Sequence, residues 1–143
     1  MDKIYVVYWS QTGNTQAMAE AIGKGVTDAG KEAEVIFVSE ASIEVLKNAK
    51  GFALGCPAMG AEVLEEAEME PFVCEIEGFA AGKTIALFGS YGWGDGQWMR
   101  DWVDRMNAAG ANVLNGEGLM CQEVPDADAI ADCENLGRTL AGL

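Results

Sequence analysis

The sequence contains no histidine. Imidazole acid–base catalysis and imidazole metal ligation are therefore unavailable. Cations are scarce as well: Lys and Arg number 9 against 23 Asp and Glu, giving a formal net charge of −14. Nucleic acid is not expected as a partner, because neutralising phosphates needs clustered Lys and Arg. The charge instead favours a basic partner, met and released quickly. No apolar run approaches the roughly eighteen residues of a membrane span, and Met1-Asp2-Lys3 leads straight into a strand-like run without a signal-peptide layout. The expectation is a soluble cytoplasmic protein. No two of the cysteines, Cys56, Cys74, Cys121 and Cys133, stand in C-x-x-C spacing, which argues against zinc and thioredoxin-like chemistry. In a reducing compartment they read as free, mostly small core residues. A nucleophilic cysteine would want a histidine beside it.

Half of the 143 residues are hydrophobic, enough for one globular domain spanning residues 1–143. Ile4-Tyr5-Val6-Val7-Tyr8 is continuously apolar, the mark of a central parallel strand over residues 3–9. It stops at Ser10-Gln11-Thr12-Gly13-Asn14-Thr15, and a helical pattern begins at once, running over 14–29 to the stop signal Gly30. A strand, a small polar loop and a helix start form an anion site, since loop N–H groups and the helix dipole point at one spot. Ser10, Thr12, Asn14 and Thr15 add side-chain donors. With no Lys or Arg in the loop, neutral donors alone would hold a phosphate, which suits a monoester. The spacing is neither Walker A nor G-x-G-x-x-G. By itself the stretch reads equally as an ordinary turn capped onto a helix.

Residues 33–38 alternate in part, as an edge strand does. Ser42 caps a short helix, with Ile43, Val45 and Leu46 facing inward. A third strand covers 51–56 and ends at Pro57. Acidic residues at Glu62, Glu65, Glu66, Glu68 and Glu70 read as helical, and Pro71 suits the first turn of a further helix reaching about residue 79. A fourth apolar strand, 83–90, runs into Gly89-Ser90-Tyr91-Gly92-Trp93-Gly94-Asp95-Gly96. Trp98, Trp102, Val103 and Met106 mark the inner face of a helix over 97–109, closed by Gly110. A fifth strand, 112–114, resumes at 119–122 after an insertion at Asn115-Gly116-Glu117-Gly118. Asp126 caps the last helix, which runs to about residue 140.

Five strand–helix alternations predict an α/β fold with a parallel sheet and right-handed crossovers. Ligands of such sheets bind beyond the carboxyl ends of the strands. The loops there are residues 10–15, 57–62 and 90–95. The first can take a phosphate. Met59 offers the second a polarisable face for a flat ring, and Trp93, between two glycines, offers the third a π face. Trp9, Trp98 and Trp102 read as packing residues. Tyr91 fits either the ring or the loop.

Taken together, Ser10-Gln11-Thr12-Gly13-Asn14-Thr15, Met59-Gly60-Ala61-Glu62 and residues 89–96 resemble, in order and spacing, the three cofactor loops of a short-chain flavodoxin of the anaerobic-bacterial kind. The resemblance spans essentially the whole chain. It implies a three-layer sandwich with strand order 2-1-3-4-5, for which flavodoxin is itself the standard example. It implies non-covalent FMN, with the phosphate on residues 10–15 and the isoalloxazine between Met59 and Trp93. Glu62 would accept from flavin N3–H, and the Gly60 carbonyl would turn toward N5 on reduction. Backbone groups of residues 89–93 would meet the pyrimidine edge. Pro57, Ala58, Ala61, Gly94 and Gln122 complete the implied site. The chain carries Gln11 where many relatives of that family have Gly, and Pro57, Ala61 and Glu123 where some have Ser, Asp and Asn.

The implied function is low-potential one-electron transfer, shuttling FMN between semiquinone and hydroquinone for redox partner proteins, by a monomer with no substrate of its own. Residues 62–77 read either as a solvated acidic face or as a docking rim for basic partners. The rival enzyme is an FMN-dependent NAD(P)H quinone reductase of the same fold, but no second nucleotide site is visible. A phosphoacceptor receiver domain is disfavoured, because strand three ends at Cys56-Pro57 with no Asp to phosphorylate.

Overall fold

Unbroken apolar strands need cover on both faces, and the computed structural model supplies it. Residues 3–59, 63–92 and 94–142 are described. The strands are β1 (Lys3–Tyr8), β2 (Glu32–Phe37), β3 (Gly51–Gly55), β4 (Thr84–Tyr91), β5 (Asn112–Val113) and β6 (Leu119–Gln122). All pair in parallel, in the order β2-β1-β3-β4-β5, with β6 also on β4. The fifth position of the sheet is thus one strand in two pieces. β5 pairs with Thr84 and Ile85, β6 pairs with residues 88–91, and a 3-10 turn at Leu114–Gly116 lies between them.

Alternate residues divide the core into two layers. Ile4, Val6, Ala53, Ala86 and Phe88 face α1 (Asn14–Asp28) and α5 (Ala127–Ala141). Val7, Phe52, Leu54, Ile85 and Leu87 face the other way, toward Leu46 of α2 (Ile43–Lys47), α3 (Met69–Glu77) and α4 (Gln97–Ala108). Trp98 and Trp102 are buried in this second layer, as their spacing predicts. Ser42 and Asp126 cap as expected, accepting from the N–H of Val45 and Ala129.

Three expectations fail. Val45 is 39% exposed, because α2 has only 5 residues and buries Leu46 alone. Val38 leaves strand β2 and opens a 3-10 turn. Residues 66–68 form a turn, so the acidic stretch is not one helix; α3 begins only at Met69, with Pro71 in its first turn. Of the acids in that stretch, Glu65 is buried and Glu70 is held by Arg105, which also pairs with Glu77.

All four cysteines are free, and only Cys74 is exposed. Burial pushes the Cys56 and Cys133 thiols up to about 12. A thiolate is the nucleophile, so both are inert at neutral pH. Alkylation of the folded protein is expected to label Cys74 alone, and all 4 cysteines only in denaturant. Mass spectrometry finding Cys56 or Cys133 modified under native conditions would contradict this packing.

Candidate functional site

Strand β1 delivers the first loop to the carboxyl end of the sheet. Gly13, at the N-cap of α1, has φ 95, a left-handed conformation that suits glycine. Its turn lets the Ser10 hydroxyl accept from the N–H of Gly13 at 3.2 Å and of Gln16 at 3.3 Å. Two of the donors at the start of α1 are satisfied in this way. Those of Asn14 and Thr15 have no acceptor within the helix. Both lone pairs of the Ser10 hydroxyl are engaged, so its hydrogen is left to donate outward.

Thr15 behaves differently from the expectation. It is buried, and its hydroxyl lies 3.1 Å from Ser90 Oγ and accepts from the Ser90 N–H at 3.4 Å. It therefore ties the first loop to the third instead of offering a donor to the cleft. The second loop is tied to the third by the Ala58 N–H, which donates to the Ser90 carbonyl at 3.0 Å. Met59 and Val63 exchange two backbone hydrogen bonds, of 2.9 and 3.1 Å, closing a small hairpin.

These ties leave a cleft of about 260 Å³. Gln11, Thr12 and Asn14 line it from the first loop, Pro57, Ala58 and Met59 from the second, and Ser90, Tyr91 and Gly92 from the third. Glu123 lines it as well, from the chain just after β6. Its backbone is left-handed, with φ 58, and its N–H donates to the Tyr91 carbonyl at 2.8 Å. A left-handed non-glycine residue is uncommon and concentrates at binding sites. Gln122 does not line the cleft; its amide Nε2 donates to the Gly92 carbonyl at 3.4 Å. The Tyr91 ring borders the cleft and packs against Trp98, with centroids 5.7 Å apart. Trp9 at the end of β1 is half-buried, and its Nε1 donates to Glu68. Gly94 is exposed and does not line the cleft. Gly60, Ala61, Glu62 and Trp93, expected at the ring, lie outside the described residues.

Depressions of about 330 and 520 Å³ lie at the opposite end of the sheet, around Asn48, Ala49 and Lys50. Those are the amino ends of the strands, the wrong end for a ligand of a doubly wound sheet. Among the described residues there is no cluster of three or more Cys, Asp or Glu able to hold a metal ion. None of the described residues lining the carboxyl-end cleft is cationic, and one is a carboxylate. Hydroxyls and free N–H groups at one end, with Met59 and Tyr91 at the other, suit a phosphate monoester joined to a flat ring. The donor set thus fits FMN.

Position 123 is flagged in the sequence only through the family resemblance, which leaves its contact with the cleft open. Nothing in the sequence marks Glu65, which is 8% exposed and accepts three backbone N–H bonds directly behind the second loop.

The family model described as Flavodoxin matches residues 6–137. A flavodoxin of Clostridium beijerinckii is 51% identical over 138 residues, covering 96% of this chain and 99% of its own. A flavodoxin of Megasphaera elsdenii is 40% identical over 138 residues, covering 96% and 98%. The solution structure of two-electron reduced Megasphaera elsdenii flavodoxin superposes with a TM-score of 0.87 at 39% identity, covering 98% of this chain and 99% of that one.

Proposed function

The chain belongs to the flavodoxin family, whose members bind FMN and transfer electrons rather than act as enzymes, and from that premise we propose how its own residues hold and tune the cofactor. The convergence of three loops on one cleft at the carboxyl end of the sheet carries this reading. Ser10 and Thr12, with the N–H groups of Asn14 and Thr15, hold the phosphate; Gln11 and Gly13 shape that loop. Met59 and Trp93 flank the ring, and Glu62 accepts from N3–H. Pro57, Ala58, Gly60, Ala61, Ser90, Tyr91 and Gly92 frame its edges, and Gln122 acts from outside the cleft by fastening the Gly92 carbonyl.

FMN supplies the redox chemistry, and the protein sets its potential. A chain of net charge −14 disfavours further negative charge in the cleft, which keeps the last electron at low potential. The protein serves redox partner proteins as a cytoplasmic monomer. Glu66, Glu123 and Asp128 are exposed acids that face a basic partner. Glu65, Glu70 and Glu77 are already engaged and contribute less to docking than their spacing suggests. Reduction by a basic partner is expected to slow as ionic strength rises. A rate flat from low to high salt would remove electrostatic steering.

Gly60-Ala61 is the proposed point of response to reduction. A type II turn that presents the Gly60 carbonyl to N5–H needs φ > 0 at its second central residue, here Ala61. That conformation costs Ala roughly 1 kcal/mol more than Gly. Ala61→Gly is expected to raise the first one-electron potential by tens of millivolts, on the order of the 59 mV that a tenfold change represents. Gly60→Thr should lower it, since a β-branched residue resists the rearrangement. Unchanged potentials in both variants would place the N5 acceptor elsewhere.

A further inference from the structure

Resting on the FMN reading, we propose that Glu65 is a positioning residue for the hairpin that carries Met59, anchoring its outgoing limb from behind the cleft. The hairpin leaves β3 at Cys56 and returns to α3 through Glu65. Glu65 is joined to both ends of that path. Its N–H donates to Cys56 Sγ at 3.4 Å. Its carboxylate accepts from the N–H of Ala67 at 2.8 Å, Glu68 at 2.7 Å and Met69 at 3.0 Å, and its carbonyl accepts from Glu70 at 2.8 Å. Burial works against the charge of this carboxylate, but the N–H groups of Met69, Glu68 and Ala67 outweigh it and hold the carboxyl below its usual range.

The mechanical consequence follows from where the bonds fall. Met59 and Val63 are already paired, and Glu65 is fixed to Cys56 and α3. The proposed redox-linked response of the Gly60-Ala61 turn is thereby kept from spreading into the limb that Glu65 holds. Without the anchor the limb from Val63 to Glu68 relaxes too, and the hairpin distinguishes the oxidation levels of the cofactor less sharply.

Glu65→Gln tests this. An amide presents one acceptor oxygen and an NH2 group to a cluster of donors, so at least one of the three bonds is lost. Cys56→Ala is the companion variant, because it removes the other anchor and leaves the α3 bonds alone. Both purified holoproteins would be titrated potentiometrically beside wild type. For Glu65→Gln the separation of the two one-electron potentials is expected to shrink by about 59 mV, a tenfold change. Cys56→Ala should move it the same way by less. A purely structural cap would lower the melting temperature and leave both potentials in place, and that result overturns the assignment. If Glu65→Gln does not fold, an unchanged separation in Cys56→Ala overturns it equally. Wild-type protein that takes up no FMN would instead sink the cofactor reading on which the assignment rests.

Discussion

Gly137→Ala is expected to destabilise the protein by about 3 kcal/mol, the upper range for overpacking a close contact. The glycine lies in α5 where that helix crosses α1. A Cβ there would stand 2.0 Å from the Ile22 carbonyl oxygen and 3.0 Å from the Val26 nitrogen. The contact is reciprocal, since a Cβ on Gly25 of α1 would stand 1.9 Å from the Glu134 carbonyl oxygen. All of these neighbours are main chain and cannot rotate aside. Helix propensity acts in the other direction, by about 1 kcal/mol in favour of Ala. The sign of the measured change therefore says which effect wins, and steric exclusion should. Gly25→Ala should behave alike, and the double variant should lose less than the sum, because one separation of the helices relieves both clashes. Urea melts decide the point. Stability equal to wild type for Gly137→Ala would mean that the helices have room to part.

The second large effect is on ligand choice. Ser10→Ala combined with Thr12→Ala is expected to weaken FMN binding about a thousandfold and riboflavin binding hardly at all. Hydrogen bonds to a charged group contribute roughly 1.5–3 kcal/mol each, and two of them come to about 4 kcal/mol, or three decades in Kd. Ser10 is chosen because its lone pairs are occupied by Gly13 and Gln16 while its hydrogen is not committed within the loop. Thr15 is the control. Its hydroxyl joins the first and third loops through Ser90, so Thr15→Ala should weaken both flavins together. Titration by flavin fluorescence separates the cases. An equal loss for FMN and riboflavin in the double variant would mean that the first loop does not read the phosphate.

What the sequence made legible was whatever depends on local backbone chemistry. Ser42 and Asp126 announce helix starts because a short polar side chain can reach the N–H groups just ahead of it. The buried strands show as apolar runs because both faces are covered. The three loops show because small, polar and aromatic residues follow strand ends. The illegible parts depend on partners distant in the chain or on the main chain itself. Arg105 reaches Glu70 and Glu77 across 35 and 28 positions, so the acidic stretch reads as more open than it is. Glu65 resembles its solvated neighbours in sequence, yet its partners are backbone donors, which every residue has. Glu123 adopts a left-handed backbone without being glycine, so composition gave no sign of the bend that brings it to the cleft.

The divided fifth strand bears on how the chain can be extended. Each piece makes its own ladder with β4, one near its start and one near its end. Asn115, Gly116 and Glu117 between them are exposed. A peptide grafted at this break would lengthen a surface loop without removing a strand pairing, and doubling such a loop costs only about 0.6 kcal/mol. The sheet therefore carries its own port for cargo, a peptide tag or a tethered partner, beside a ladder that runs on to the cofactor cleft.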